Sequence, residues 1–425
     1  MKTKIIHILN HAPQRNHLGL TPTTANKFGH AEFVYLEEEK KYIGFYLKDF
    51  HIQLAKFTLE ATDEFQIECW RPYTDFIDKS YSKNINGITH RLFPSTQFKI
   101  PYFGTFMYSN SMLKELKKEI NNYKIIIHFH DGHSRYVAWL MWNLRKINVP
   151  IIYQHRGYTF GNFLFKYSNK KYNIIPLLEF LLFQKPLTKR ISYYLAGSQP
   201  EKSFVTDKLK LKKCEYFHDG ILFDKLILET NKVIIRNQLE IPTDKIIILY
   251  VGLFTKIKGI GEFLKAYNHL KEKYSNIQLV TVGGYKTDEY YKLLLDNQVI
   301  VREHIPGEIL VKYYQASDIY VMPTKDPIIQ NFGGFGSAPL EALACNVPVL
   351  SYNIINYPGT LEERNKIGRM INGEQETYDN LEYIINHLDE FKEARKYTQK
   401  YYDNNIMINR LVQIYKELSN AFYGA

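Results

Sequence analysis

Short apolar runs rich in isoleucine and valine recur along the chain, each followed by a segment with helical spacing. They read KIIHILN, YKIIIHFH, VPIIYQH and SYYLAGS in the first half, then KIIILYVG, IQLVTVG, DIYVMP and VPVLSYN in the second. Strands that are apolar nearly throughout are buried on both faces, and their alternation with helices is the pattern of parallel sheets covered by helices. The series occurs twice, and the halves part near FHDGILFDKL, from Phe217 to Leu226. The pattern therefore predicts an α/β architecture of two doubly wound, Rossmann-like domains. Residues 1–218 form the first and 219–404 the second, with the amphipathic pattern at the chain's end, within 405–425, packing back on the first as a helix. Ligands of such sheets bind outside the carboxyl ends of the strands, so the cleft between the domains is the expected site.

Three regions lack this pattern. His11 to Lys48 has no clean period and reads as a long loop with a hairpin. Glu229 to Asp244 is weakly patterned and leads into the first strand of the second half. NIIPLLEFLLF, from Asn173 to Phe183, is the most apolar helical stretch, but it is too short to cross a bilayer and contains Glu179. MKTKIIHILN has too short an apolar centre for a secretion signal and reads as a first strand.

Composition narrows the partners. The 425 residues allow two ordinary domains, and the Lys and Arg excess gives a net charge of +11 and a pI near 9.1. Such a balance suits an anionic partner, whether a phosphorylated small molecule or a lipid headgroup surface. Nucleic acid is not expected, because the basic residues do not alternate with aromatics on a platform. Cys69, Cys214 and Cys345 are widely spaced and odd in number, which fits a reducing cytoplasm rather than a disulfide framework or a zinc knuckle.

Two stretches of the second half carry phosphate chemistry. LYVGLFTKIKGIGEFLKAYNHL is strand, turn and helix, with Gly252 in the turn and Lys256 and Lys258 at the helix entry. Free amides at a helix N-terminus beside ammonium groups form an anion site suited to a diphosphate. NFGGFGSAPLEALACNVPVL has the same form: Gly333, Gly334 and Gly336, with Phe335 between them, let the backbone approach a ligand closely, and Ser337 and Pro339 suit a first helical turn. Glu341, just inside that helix, is placed to accept hydrogen bonds from a ribose diol. Its bland alternative is a solvated surface glutamate.

In the first half His128, His130, Asp131 and His133 crowd the end of one strand, and His155, before Arg156 and Gly157, ends another. The histidine spacing matches no compact zinc pattern. No Asp-x-Asp clamp for a nucleotide-bound cation occurs, and no nucleophile elbow or Walker loop is present. No metal is expected. His155 reads as a donor to a substrate oxygen.

These motifs together resemble the retaining glycosyltransferases of the GT-B fold, family 4, also described as glycosyl transferases group 1. The resemblance runs from Ile125 onward. IIHFHDGH and PIIYQHRG resemble that family's first-domain strand ends, and HDGILFDKL its Asn-Gly-Ile-Asp segment. YVGLFTKIKGI resembles its Gly-Arg-Leu turn with Lys-Gly, YYQASDIYVMPT its Ala-Asp-Val strand, and GGFGSAPLEALACNVPVL its paired-glutamate loop. The resemblance implies a metal-independent glycosyltransferase with no cofactor, using a UDP- or GDP-linked sugar as donor substrate and a hydroxyl of a glycan, lipid-linked molecule or small molecule as acceptor. It implies that Lys258 holds the diphosphate, Glu341 the ribose, His155 the transferred sugar or its phosphate, and the Gly334 to Ser337 loop the sugar and phosphate through its amides. Two positions depart from the family pattern: Leu253 stands where the family has a diphosphate arginine, and Gly333 where it has the first glutamate of the pair. These departures support the alternative of a non-catalytic GT-B-like subunit that binds a partner enzyme or glycan. Lys166, Lys170, Lys171, Lys185, Lys189 and Arg190 flank the apolar 173–183 stretch, so contact with an anionic membrane at the cytoplasmic face is a further expectation.

Overall fold

The computed structural model describes the chain except residues 1, 10–32, 36–43, 47–49, 74–77, 101–103, 131–134, 155–180, 182–184, 219, 229–230, 304, 306, 326–335 and 425. The chain divides into two compact units. The first comprises Met1–Gly197, Glu201–His218 and Ile406–Ala425, and the second Ser198–Pro200 and Asp219–Asn405.

The first unit contains β1 (Thr3–Ile8), β2 (Phe33–Tyr35), β3 (Gly44–Tyr46), β4 (Phe65–Tyr73), β5 (Tyr81–Ile85), β6 (Ile88–Pro94), β7 (Thr96–Ile100) and β8 (Gly104–Tyr108). It continues with β9 (Ile125–Phe129), β10 (Ile151–Gln154), β11 (Tyr193–Ala196) and β12 (Cys214–Tyr216). Eight of them form one sheet in the order β12-β11-β10-β9-β1-β4-β6-β5. Only β5 and β6 pair antiparallel there, through the turn at Asn86 and Gly87, both with positive φ. Every residue of β1 and β9 is buried, as strands covered on both faces require. Alternate residues feed two cores. Ile6, Ile8, Ile125 and Ile127 meet Met112, Leu116, Val137 and Leu140 of the helices Asn110–Asn122 and Arg135–Leu144. Ile5 and Ile126 meet Ile52 and Leu54 of Phe50–Ala61 and Leu411, Tyr415 and Leu418 of the final helix, Asn404–Tyr423. The region from His11 to Lys48 includes the antiparallel pair β2–β3; the remainder of that region lies outside the described residues apart from this pair.

The second unit has β13 (Ile246–Val251), β14 (Ile277–Gly284), β15 (Ile300–Glu303), β16 (Ile319–Met322), β17 (Val349–Ser351) and β18 (Gly368–Met370). All pair parallel in the order β15-β14-β13-β16-β17-β18. The order runs outward in opposite directions from β13 and β16, so the crevice at their carboxyl ends is the switch point at which such sheets take ligands.

The weakly patterned stretch before β13 contains a helix, Lys232–Gln238, that periodicity does not reveal. Its cap is local, since the Asn231 side chain accepts from the amides of Val233 and Ile234. The remaining support is tertiary. Buried Arg236 donates to the carbonyls of Ala316 at 2.9 Å and Lys245 at 3.0 Å, and to Asp318 Oδ2 at 2.6 Å. The same Asp318 oxygen accepts from the Ile247 amide at 2.8 Å, which ties the helix to the starts of β13 and β16.

One buried histidine of the first unit makes stability depend on pH. Burial and the neighbouring Arg71 charge lower His90, on β6, to about 4. The unfolded state then binds more protons than the folded state as pH falls, so the stabilisation from a neutral His90 is complete above about pH 6.5 and is lost as pH drops toward 4. We expect the wild type to lose roughly 3 kcal/mol more than His90→Gln over that interval. Urea unfolding of both proteins at several pH values checks this, and parallel curves would refute it.

Candidate active site

At the carboxyl end of β13 the chain passes through Gly252, Leu253 and Phe254 into a single 3-10 turn, Lys256–Lys258, and then into the helix Ile260–Lys273. The two lysines therefore lie in a separate turn ahead of the helix. Gly259 joins the pieces at φ 74°, and a Cβ there would lie 1.7 Å from the Pro323 carbonyl oxygen, so no other residue fits this approach. The helix opens without a side-chain cap, which leaves its first amides available for an anion.

Three strand ends hold this turn. After β16, the Lys325 amide donates to the Ile257 carbonyl at 2.8 Å and the Thr324 hydroxyl donates to it at 3.2 Å. After β14, Asp288 accepts from the Phe254 amide at 2.9 Å and Glu289 from the Lys256 amide at 3.2 Å. Gly284 leaves room for buried Phe254, whose ring carbon would otherwise be 2.1 Å from a Cβ. Tyr250, on β13 itself, donates its hydroxyl to the Leu253 carbonyl at 2.6 Å. A turn fixed in this way presents Lys256 and Lys258 with little backbone freedom, and among the described residues neither ammonium has an ion pair. Lys325, by contrast, is paired with Glu262 at 2.5 Å. The Leu253 side chain is substantially exposed beside the turn and supplies apolar surface where an arginine would supply charge.

The second phosphate-competent stretch is described from Gly336 onward; Gly333, Gly334 and Phe335 lie outside the described residues. Gly336 caps the helix Ser337–Ala344 in extended conformation, and Gly336 and Ser337 are exposed. Pro339, Leu340, Leu343 and Ala344 are buried and fix the helix by its apolar side. Glu341 is not a solvated surface residue. Desolvation raises its carboxyl above the usual range, against the opposing effect of the Tyr314 hydroxyl. Beyond β17, Ser351 donates to Asn353 Oδ1 at 2.5 Å and Tyr357 donates to the same atom at 3.3 Å, giving this strand end a buried polar tie as well.

His128 and His130 lie at the end of their strand, as the sequence suggests, but inside the core. His128 is the penultimate residue of β9, in register with His7 of β1, and His130 follows the strand directly, but all three rings are fully buried. The three ring centroids lie 4.3 to 5.1 Å apart, with His130 stacked on both His7 and His128. His128 uses both ring nitrogens, toward the Tyr415 hydroxyl at 2.7 Å and Gln154 Oε1 at 3.1 Å. His7 Nδ1 and His130 Nε2 are 2.8 Å apart, closer than the roughly 3.3 Å that two ligands about 2.0 Å from a tetrahedral ion would take. The row is a hydrogen-bonded polar seam inside the core rather than an arranged cation cage. His155, Asp131 and His133 lie outside the described residues.

Sequence reasoning missed Thr324, Asp288, Glu289 and Tyr314. The first three stand just past the carboxyl ends of β16 and β14, the one signal that could have pointed to them.

Comparison with known proteins agrees with this architecture. Residues 231–405 match the family model described as glycosyl transferases group 1. A capsular polysaccharide biosynthesis glycosyltransferase, CapM, from Staphylococcus aureus is 29% identical over 142 residues, 32% of this chain and 35% of that protein's length. Among solved structures, sucrose-phosphate synthase from Thermosynechococcus elongatus superposes with a TM-score of 0.66 at 17% identity, covering 99% of this chain and 100% of that one. Anabaena Alr3699/HepE, solved in complex with UDP and glucose, superposes with a TM-score of 0.60 at 12% identity over 98% of this chain and 100% of its own. With two sheet units of this fold and a family match across nearly all of the second, the chain has the GT-B glycosyltransferase fold, and its second unit carries the glycosyl transferases group 1 match.

Proposed function

We propose that the protein transfers a sugar from a UDP- or GDP-linked donor to a hydroxyl acceptor, with retention at the anomeric carbon and without a divalent metal. The observation that carries this reading is the Lys256–Gly259 turn at the switch point of the second sheet, tied to three strand ends and opening an uncapped helix. In transfer, the bond between the anomeric carbon and the diphosphate oxygen breaks, and the leaving diphosphate accumulates negative charge. Lys258, with Lys256 beside it and the first amides of Ile260–Lys273, is positioned to stabilise that charge without reorganising. Glu341 takes the ribose diol, and Gly252 lets the backbone pass close to the ligand. Gly333, Gly334, Phe335, Gly336 and Ser337 offer amides to the sugar and phosphate, and His155 a donor to the sugar. Retention without a covalent sugar–enzyme intermediate requires the acceptor oxygen to enter on the face that the diphosphate leaves. Its proton can then pass to the departing oxygen.

The acceptor is read as a glycan or lipid-linked hydroxyl, and a basic surface of the first unit supports the lipid-linked case. The short helix Lys185–Thr188 packs against Arg135–Leu144, and the Arg190 guanidinium donates to the Ile147 carbonyl between them. Lys185, Lys189, Arg145 and Lys146 are exposed there, with Trp142 at 40% exposure under the Arg145 guanidinium and Leu181 at 41%. Cations around exposed apolar side chains suit an anionic bilayer surface. Among the described residues no helix is long and apolar enough to cross a membrane; residues 173–180 and 182–184 lie outside them.

Three outcomes follow. Millimolar UDP, GDP or ADP should raise the melting temperature through binding to the folded state. Lys258→Ala should reduce both that shift and kcat/KM, the latter by about a hundredfold or more. No shift with any of the three nucleotides would count against the donor site. Transfer should persist in EDTA, because the charge is met by lysines and helix amides; complete loss restored by Mg²⁺ or Mn²⁺ would overturn metal independence. Binding to liposomes rich in acidic lipid should weaken with salt and on joint replacement of Lys146, Lys185 and Lys189 by Ser, at about 1 kcal/mol for each charge removed. Equal binding to neutral liposomes would dismiss the electrostatic contact.

A further inference from the structure

Tyr314 belongs to the helix Gly307–Ala316, which packs against the helix of Glu341. The phenol is fully buried, with its ring 6.0 Å from Tyr320 of β16, and its hydroxyl makes no well-aligned hydrogen bond with a described residue. A buried hydroxyl left in that state costs about 1–3 kcal/mol. The acceptor beside it is the Glu341 carboxylate, itself largely removed from water. We propose that Tyr314 is a positioning residue for donor binding: its hydroxyl donates to Glu341 and holds the carboxylate charged and oriented as the acceptor for a ribose diol. The inference rests on the reading of Glu341 as the ribose acceptor given above.

The surroundings leave this task to Tyr314. Tyr320 on β16 and Cys345 at the end of Glu341's own helix are both pushed up by burial and by the Glu341 charge, so they stay neutral and supply no cation to it. Arg395, from the helix Ala394–Tyr402 packed against it, is engaged with the Ala344 carbonyl at 2.6 Å and influences Cys345. No ion pair reaches Glu341 among the described residues. A carboxylate in a desolvated position without a cation depends on hydrogen-bond donors to remain ionised. A ribose arriving at Glu341 adds two such donors, and Tyr314 supplies one before the ligand arrives.

The test is the affinity of the nucleoside diphosphate (UDP, GDP or ADP) that stabilises the wild type, measured by calorimetry between pH 5.5 and 8.5 for wild type, Tyr314→Phe and Glu341→Gln. Protonation of the diphosphate is common to all three proteins and cancels in the ratio of affinities. Tyr314→Phe should match the wild type at pH 8.5 and bind about tenfold more weakly near pH 6, because loss of the donor raises the Glu341 carboxyl further. Glu341→Gln should bind weakly at every pH. A Tyr314→Phe to wild-type ratio that does not change with pH, beside a weakened Glu341→Gln, overturns the role of Tyr314 and leaves the ribose reading standing. Glu341→Gln binding as tightly as wild type overturns the ribose reading, and this inference with it. Should Tyr314→Phe not fold, 3-fluorotyrosine placed at position 314 makes a stronger donor and must move the pH profile the opposite way; an unmoved profile refutes the proposal.

Discussion

Everything at the candidate donor site depends on a close approach of two backbones. The Gly259 Cα comes so near the Pro323 carbonyl that a side chain of any kind would displace one of them. This approach locks the loop after β13 to the loop after β16 at the point where the sheet order reverses. With the two joined, Thr324 and Lys325 can hold the Ile257 carbonyl, the helix Ile260–Lys273 can start at a fixed place, and the lysines on either side of Ile257 are carried on a rigid turn. Cationic side chains are flexible, so the precision of the site comes from the backbone that carries them and from the amides at the helix start.

The two units spend buried polarity differently. In the first, Lys4 pairs with Glu68 at 2.9 Å and with Glu119 at 2.5 Å, and Arg91 pairs with the same two carboxylates, so the charges neutralise one another inside the fold. The histidine row adds a hydrogen-bonded seam through the same sheet. In the second unit, Arg236 and Asp318 form one such closed knot at the amino ends of the strands. At the carboxyl ends the polar groups are arranged otherwise, with Lys256 and Lys258 left without ion pairs among the described residues. One end of this sheet is thus closed by its own polar pairs, while the other keeps these unpaired cations, of the kind a ligand would meet where strands point their carboxyl ends at a crevice.

Much of the fold was legible because parallel strands buried on both faces leave a strong mark: β1, β9, β13, β14 and β16 all fall in the apolar runs. The strand, turn and helix around Lys258 was legible for the same reason, with glycine marking the break. Other features depend on contacts between distant residues. The Lys232–Gln238 helix has too little periodicity to be seen, because its hold is a buried arginine on carbonyls 7 to 80 residues away. Asp288 and Glu289 read as loop acids until the fold brings them to the Phe254 and Lys256 amides. Tyr314 reads as one more core aromatic, since a pattern of apolar positions carries no information about which hydroxyl meets which carboxylate. The burial of His128 was not legible for a related reason, because a histidine near the end of an apolar run reads the same whether the strand exposes it or buries it.

The final helix has a consequence for how the molecule is made. Leu411, Tyr415 and Leu418 complete one face of the first sheet, and Tyr415 meets His128 in its interior, yet they follow the second unit in the chain and so are synthesised after it. The second unit, continuous from Asp219 to Asn405 apart from one three-residue piece, has all its strands outside the ribosome before that helix emerges. Until then the first sheet must keep an apolar face and a buried histidine uncovered. During translation the earlier-made unit is therefore the later one to finish, and a truncated message would leave an exposed, association-prone sheet beside a completed second unit.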